Sequence, residues 1–339
     1  MNGFQRVTAA LKGEWPDKRP IVLHNFMLAA KEAGFTMKQY YSNPENAAKA
    51  HIQAVEKYGL DGVLWDLDTA VLASAVGVPV DFPENEPARA HKACLNHLEE
   101  IENLNIPDIS KNERIIVAVE GFKMLKKYFG NEIHLRGNAD QAPFSLASMM
   151  RTPAEWMMDL IINPELCHKL LCYTTKVVKK FIQLLADEGA HLISNGDSPA
   201  GPEMISPEQY LEFALPYEKE IVEYTHDLGL PYMLHICGNT ELILDEMPKT
   251  GLDAVELDYK TDINKIFSKY NQKITLSGNI DPSGVIANGT KELVKEKTLQ
   301  ILNIYEHSPR FIMNAGCAIP PTTPEENIRI LVNTTRSYM

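Results

Sequence analysis

His235 and Cys237 stand two residues apart in Tyr232-Met233-Leu234-His235-Ile236-Cys237, and the period of two along a β-strand turns both side chains to one face. Gly238 follows at once and lets the backbone turn away. The run Asn314-Ala315-Gly316-Cys317 supplies another thiol. One imidazole and two thiolates form a soft donor set suited to Zn²⁺, and three protein ligands leave a tetrahedral position open, as in catalytic zinc sites. The same residues also fit a plainer role, as a hydrogen-bonded core histidine and two small buried thiols. Spacing alone does not choose between the two, because Cys317 joins the pair only if the fold brings it there.

The elements that must position these residues alternate. Short apolar runs read as strands: Ile21–Asn25, Gly62–Asp66, Ile133–Gly137, His191–Asn195, Tyr232–Cys237, Ala254–Asp258, Ile274–Gly278 and Phe311–Ala315. Longer amphipathic patterns between them predict helices over Pro44–Tyr58, His91–Asn103, Pro164–Glu188, Pro207–Leu228, Lys291–His307 and Pro324–Ser337. Asn43-Pro44, Asn163-Pro164, Ser206-Pro207 and Thr323-Pro324 each pair a capping residue with a proline suited to the first turn. The run from Arg114 to Val119 is ambiguous, and because it continues into Glu120–Tyr128 without a strong breaker it reads as helix. Eight strands alternating with helices predict a (β/α)₈ TIM barrel, a single domain over residues 1–339 with a short helical N-terminal extension. An open doubly wound sheet is the other arrangement of the same elements.

In such barrels chemistry gathers at the carboxyl ends of the strands. Those ends carry His24, Asn25, Asp66, Asp197, Glu256, Asp258 and Asn279, which become candidate substrate-binding or catalytic residues. Glu256 and Asp258 stand near a fourth ligand position, while Asp66 also suits helix capping and Asp197 suits the shaping of a turn. Cys167 and Cys172 are five apart on a helical pattern, roughly 140° around the axis, and do not form a ligand pair.

The chain has 339 residues, with 33 Lys+Arg against 45 Asp+Glu and a formal net charge of −12. That balance disfavours nucleic acid and anionic membrane as partners. Five cysteines without an export signal read as reduced thiols, and the N-terminus lacks a signal-peptide apolar core. The apolar stretch Thr69–Val80 falls short of the roughly 20 residues of a spanning helix. The expected location is the cytoplasm. No G-x-G occurs, so a dinucleotide fingerprint is missing.

Several further stretches carry a resemblance over nearly the whole chain. They are Arg6–Gly13 with Asp17-Lys18-Arg19-Pro20, Gly62–Pro79, Ile205–Tyr210 ending in Leu215-Pro216-Tyr217, His235–Asn239, Gly278-Asn279-Ile280-Asp281-Pro282, and Gly316-Cys317 with Thr323–Ile328. The sequence resembles the uroporphyrinogen decarboxylase superfamily and, within it, the corrinoid-linked methyltransferases that include methylcobalamin:coenzyme M methyltransferases. The resemblance implies a (β/α)₈ barrel with zinc held by His235, Cys237 and Cys317. It implies transfer of a methyl group between a corrinoid protein and a small substrate, either a thiol such as coenzyme M or an O-, N- or S-methyl donor. Corrinoid domains of such systems use a D-x-H-x-x-G loop, and this sequence has no D-x-H, so a separate corrinoid protein is the expected partner. The alternative is the metal-free decarboxylase, whose members hold a polycarboxylate with paired N-terminal arginines. From Pro20 to Ala88 this chain has no arginine, and its first strand ends in His24-Asn25-Phe26.

Overall fold

The structure is a computed structural model and describes residues 1–338. Nine strands form: β1 (Gly62–Trp65), β2 (Val80–Asp81), β3 (Arg89–Ala90), β4 (His134–Gln141), β5 (Leu192–Gly196), β6 (Tyr232–Ile236), β7 (Ala254–Leu257), β8 (Thr275–Ser277) and β9 (Phe311–Ile312). Strands β2 and β3 pair only with each other, as an antiparallel hairpin. The other seven make one parallel sheet in the order β1-β4-β5-β6-β7-β8-β9, with helices in the connections.

The expected first strand, Ile21–Asn25, is not a ladder strand, and this corrects the sequence-based expectation. Ile21 makes a lone parallel bridge to Met313. Val22 N–H donates to Met313 O at 3.1 Å, and Met313 N–H donates to Pro20 O at 2.9 Å. On the other side Asp61 N–H donates to Ile21 O at 2.9 Å. The segment therefore spans the gap between β9 and β1 and closes the curled sheet into a barrel. Side chains take the bonds a ladder would use: Ile21 N–H donates to the Asp61 carboxylate at 2.8 Å, and His24 N–H donates to Asn314 Oδ1 at 2.9 Å.

Inside the barrel the period of two sorts residues into layers. Val22, Leu64 and Ile312 pack on Val7 and Ala10 of the N-terminal helix Gly3–Lys12, and Leu192, Met233 and Ala254 pack against Leu11 of the same helix. That helix thus plugs the amino end of the barrel with an apolar layer. Two residues further along each strand the layer turns polar: His24, Asp66, Ser194, His235, Glu256 and Asn314, all buried. The main apolar core lies outside this barrel interior, between the sheet and its helices.

Helix Pro44–Tyr58 forms as expected, and the ambiguous Arg114 run lies in helix Glu113–Phe129. Asn112 caps that helix by accepting from Arg114 N–H and Ile115 N–H, and Gly121 sits within it because a Cβ there would come within 2.5 Å of the Trp65 ring. The helix expected over His91–Asn103 does not form beyond a 3₁₀ turn at Leu98–Asn103. Its backbone is engaged elsewhere: Cys94 and Leu95 N–H both donate to Met150 O, and the Arg151 guanidinium takes the carbonyls of Leu95 and Asn96. The Pro207 pattern is helical through Asp227 but contains a π-turn at Tyr210–Ala214, next to Pro216, which has no N–H to give. Asn43 and Ser206 cap as expected; the side chains of Asn163 and Thr323 do not. Among the described residues no helix is long and apolar enough to cross a membrane.

Candidate metal centre and active-site cavity

Strand β6 ends with His235 facing into the barrel, and Cys237 follows on the same face just past the strand. Gly238 turns there at φ 83°, and its N–H donates to Asp258 Oδ2 at 3.0 Å. Cys317 arrives five residues after β9. The three side chains converge: His235 Nε2 to Cys237 Sγ is 3.0 Å, Cys237 Sγ to Cys317 Sγ is 3.5 Å, and Cys317 Sγ to His235 Nε2 is 3.9 Å. Tetrahedral zinc bonds of roughly 2.3 Å to sulfur and roughly 2.0 Å to nitrogen set donors about 3.5–3.8 Å apart. The donor set fits such an ion, with small adjustments and one position left open. His235 Nδ1 donates to the Glu256 backbone carbonyl at 3.0 Å, which leaves Nε2 as the lone-pair side facing the thiols.

The three groups shift one another's protonation. The hydrogen bond from the Cys317 thiol pulls Cys237 down to about 3 against the opposing effect of burial, and the positive His235 adds to this. Cys317 is pushed up by the same bond and by burial. His235 is raised: burial works against its charge, but the Cys237 thiolate outweighs it.

Glu256 is the hub beneath this centre. It is fully buried and is the register partner of His235 on β7. One oxygen meets His24 Nδ1 at 3.1 Å; the other pairs with Arg136 and accepts from Asn314 Nδ2 at 3.1 Å. Burial favours its neutral form, yet Arg136 and His24 hold it well below the usual carboxylate range. His24 also meets Asp66 Oδ2 at 3.1 Å through Nε2. Burial would discharge this imidazole, but its two carboxylate partners raise it to about 9.

Above the hub lies a cavity of about 550 Å³. His235, Cys237 and Cys317 line it together with His24, Asp66 and Glu256. Asn25, Asp197, Asp258 and Asn279 are not among its lining residues. Asn25 is buried at the start of helix Phe26–Glu32 without a side-chain cap bond. Asp197 accepts from Ser145 N–H at 2.8 Å and Ser145 Oγ at 2.6 Å, tying the amino end of helix Pro143–Arg151, and burial raises it to about 6. Asp258 holds the Gly238 turn, and Asn279 Nδ2 donates to the carbonyls of Asp258 and Thr261 at 3.2 Å each.

The structure adds Arg136, Arg114 and Asp140, which the sequence reading did not single out as candidates, and it gives a place to Asp68, which follows the second strand and suits either helix capping or the pocket. Arg136 of β4 pairs with Glu256 and donates through Nε to Ser194 Oγ at 2.8 Å. Asp140, at φ 58°, accepts from Leu72 N–H at 2.7 Å and from Gln141 Nε2 at 3.0 Å, and burial raises it to about 8. Asp68 pairs with Arg114 and accepts from Ala70 N–H at 2.9 Å. Arg136 had a readable signal: it shares the barrel-facing parity of its strand, two residues past His134. Arg114 and Asp140 had none: Arg114 stands in the first turn of helix Glu113–Phe129, and Asp140 lies in β4 at a register shift between Asn138 and Gln141.

Two kinds of named relatives cover the chain. The methylcobamide:CoM methyltransferase of Methanosarcina acetivorans is 27% identical over 339 residues, covering 98% of this chain and 97% of its own. The uroporphyrinogen decarboxylase of Prochlorococcus marinus is 29% identical over 300 residues, covering 86% of this chain and 84% of its own. In fold, the chain matches a methyltransferase from Methanosarcina mazei with a TM-score of 0.90 at 23% identity, over 99% of this chain and 98% of that one. Residues 2–338 match the family described as Uroporphyrinogen decarboxylase (URO-D), and the chain belongs to that family.

Proposed function

We propose that this protein is a zinc-dependent methyltransferase that moves a methyl group between the corrinoid of a partner protein and a small molecule. The observation that carries this reading is the convergence of His235 Nε2 and the sulfurs of Cys237 and Cys317 within 4.8 Å of one another in the wall of the 550 Å³ cavity. The relatives support it: the Methanosarcina acetivorans methyltransferase acts on coenzyme M by name and aligns over 98% of the chain. The decarboxylase reading leaves the clustered thiols without a task, and Arg136, which lines the cavity, is engaged by Glu256 rather than free to grip a polycarboxylate.

When bound, Zn²⁺ lowers the pKa of a thiol and activates a sulfur or other heteroatom for methyl transfer. The chain's own residues prepare for this. The Glu256 carbonyl fixes the neutral tautomer of His235, and Ser198 Oγ accepts from Cys237 N–H at 3.2 Å and holds the loop that carries the thiol. Phe26, Met27, Leu64 and Met149 line the cavity and keep water from the reacting groups. The corrinoid would enter on its own protein, and the reaction would exchange its cobalt–carbon bond with a carbon bond to sulfur or another heteroatom, the proton of a thiol acceptor going to solvent.

The test is zinc content and methyl transfer from methylcobalamin to thiols, measured on wild type and Cys317→Ala. The expected result is about one zinc per chain in wild type, lost with the activity in the variant. Full transfer by Cys317→Ala overturns the proposal.

A further inference from the structure

If the chain is the methyltransferase proposed above, its cavity also indicates the class of small molecule. Among the described residues, every cationic side chain lining the cavity already faces a carboxylate. Arg136 is paired with Glu256; Arg89 is 3.0 Å from Glu86; His24 stands 3.1 Å from both Asp66 and Glu256; His235, a neutral donor in that reading, gives its Nδ1–H to the Glu256 backbone carbonyl. Arg114, behind the wall, is taken by Asp68. The backbone donors at the start of the short helix Val71–Ala75 are engaged in the same way, Ala70 N–H by Asp68 and Leu72 N–H by Asp140. A sulfonate or carboxylate entering here would displace one of the chain's own carboxylates or remain without a counter-charge beside it, and a desolvated anion without a counter-charge is costly. The rest of the wall carries no charge: Phe26, Met27, Leu64, Pro87, Met149 and Pro199 make it largely apolar, and Thr69, Asn138, Gln141 and Ser198 add neutral polar groups.

We propose that the small methyl donor or acceptor of this protein is an uncharged molecule with an apolar body, a thiol or methyl ether, and not an anionic thiol. The carboxylates of Asp66, Asp68 and Glu256 keep anions out, and they and the carboxyl of Asp140 fill the hydrogen-bonding needs of the wall. Glu86 does the same at the rim, where its side chain and that of Arg89 are both more than half exposed.

Calorimetric titration tests this on the full chain. The zinc-loaded protein receives phenylmethanethiol or 2-mercaptoethanesulfonate, and the zinc-free protein receives methoxybenzene or 4-methoxybenzenesulfonate. The uncharged member of each pair is expected to bind at least about tenfold more tightly. Equal or tighter binding of either sulfonate overturns the proposal, and so does failure of all four to bind. Glu86→Gln, which frees Arg89 at the rim, is expected to narrow the preference several-fold, and an unchanged ratio counts against the pairing argument. Zinc content and methyl transfer on the same preparations separate the two readings. A protein that holds zinc and methylates 2-mercaptoethanesulfonate better than phenylmethanethiol keeps the methyltransferase assignment and loses this one. A protein without zinc that still prefers methoxybenzene over its sulfonate does the reverse.

Discussion

His235 Nδ1 sits 3.0 Å from the backbone carbonyl of Glu256, its register partner on the neighbouring strand. The backbone of Glu256 therefore orients the imidazole, while its carboxylate gathers His24, Arg136 and Asn314 beneath it. The two roles separate in a variant. Glu256→Gln keeps the carbonyl and so the tautomer of His235, but it leaves the buried Arg136 and His24 without their counter-charge. Breaking a buried pair in this way costs about 3–5 kcal/mol. Thermal unfolding of Glu256→Gln is expected to show a loss of that size. Zinc affinity is expected to fall about 10–100-fold, as for other changes to groups that support ligands. An unfolding midpoint equal to wild type counts against Glu256 as the hub.

The turn after Cys237 depends on Gly238. Its φ of 83° lies in the left-handed region, and a Cβ would come within 2.7 Å of the Glu203 carboxylate. Glu203 is a flexible, exposed side chain and can move; the backbone cannot relieve its own strain. Gly238→Ala is expected to cost about 1–2 kcal/mol and to loosen zinc binding by shifting Cys237, with chemical denaturation and metal titration as the measurements. A variant with wild-type stability and zinc affinity would show that the turn does not set the position of the thiol.

Much of this centre was legible because one rule acts on every strand. Along Met233-Leu234-His235-Ile236-Cys237 and Ala254-Val255-Glu256-Leu257-Asp258, alternate residues face inward, and the inward series passes from apolar to polar as the chain climbs the barrel. The H-x-C spacing and Glu256 follow from that alternation. The helix expected over His91–Asn103 and the strand expected over Ile21–Asn25 failed for a related reason. In both segments the backbone bonds go to distant partners, Met150 and Arg151 in one, Asp61 and Asn314 in the other. Local periodicity contains no trace of such partners. Asp197 and Asn279 sit at strand ends as expected, yet their hydrogen bonds hold neighbouring backbone, and composition at a strand end does not say which way a side chain turns.

Barrel closure rests on Asp61, which is 1% exposed. Its carboxylate receives Ile21 N–H at 2.8 Å, Arg6 of the N-terminal helix at 3.0 Å and Arg336 of the C-terminal helix Glu325–Ser337 at 2.7 Å. One charge thus fastens both ends of the chain to the segment that fills the gap between β9 and β1. Asp61→Ala removes all three bonds and is expected to destabilise by about 3–5 kcal/mol. Hydrogen exchange is expected to show the largest loss of protection at Val22 and Met313, the amides of the closing bridge. Uniform loss across the sheet instead would mean that the segment is not a separate closing element.

Asp140 yields a pH dependence of definite sign. Burial raises its carboxyl from 3.8 to about 8 in the fold, whereas the unfolded chain returns it to an ordinary value. Between those values the folded state holds a proton that the unfolded state has released, so stability falls as pH rises from about 4 towards 8. The carboxyl's contribution is complete below the unfolded value and gone above the folded one. Asn at this position accepts the Leu72 N–H through its Oδ1 and tolerates the left-handed φ of 58°, and the Gln141 amide turns to accept from its Nδ2, so Asp140→Asn keeps the backbone geometry and removes the titration. Unfolding free energies measured from pH 5 to 8 are expected to decline less steeply in Asp140→Asn than in wild type, with the variant the more stable at pH 8. Parallel profiles in the two proteins would show that Asp140 is already ionised at neutral pH and that the cavity wall carries one more negative charge.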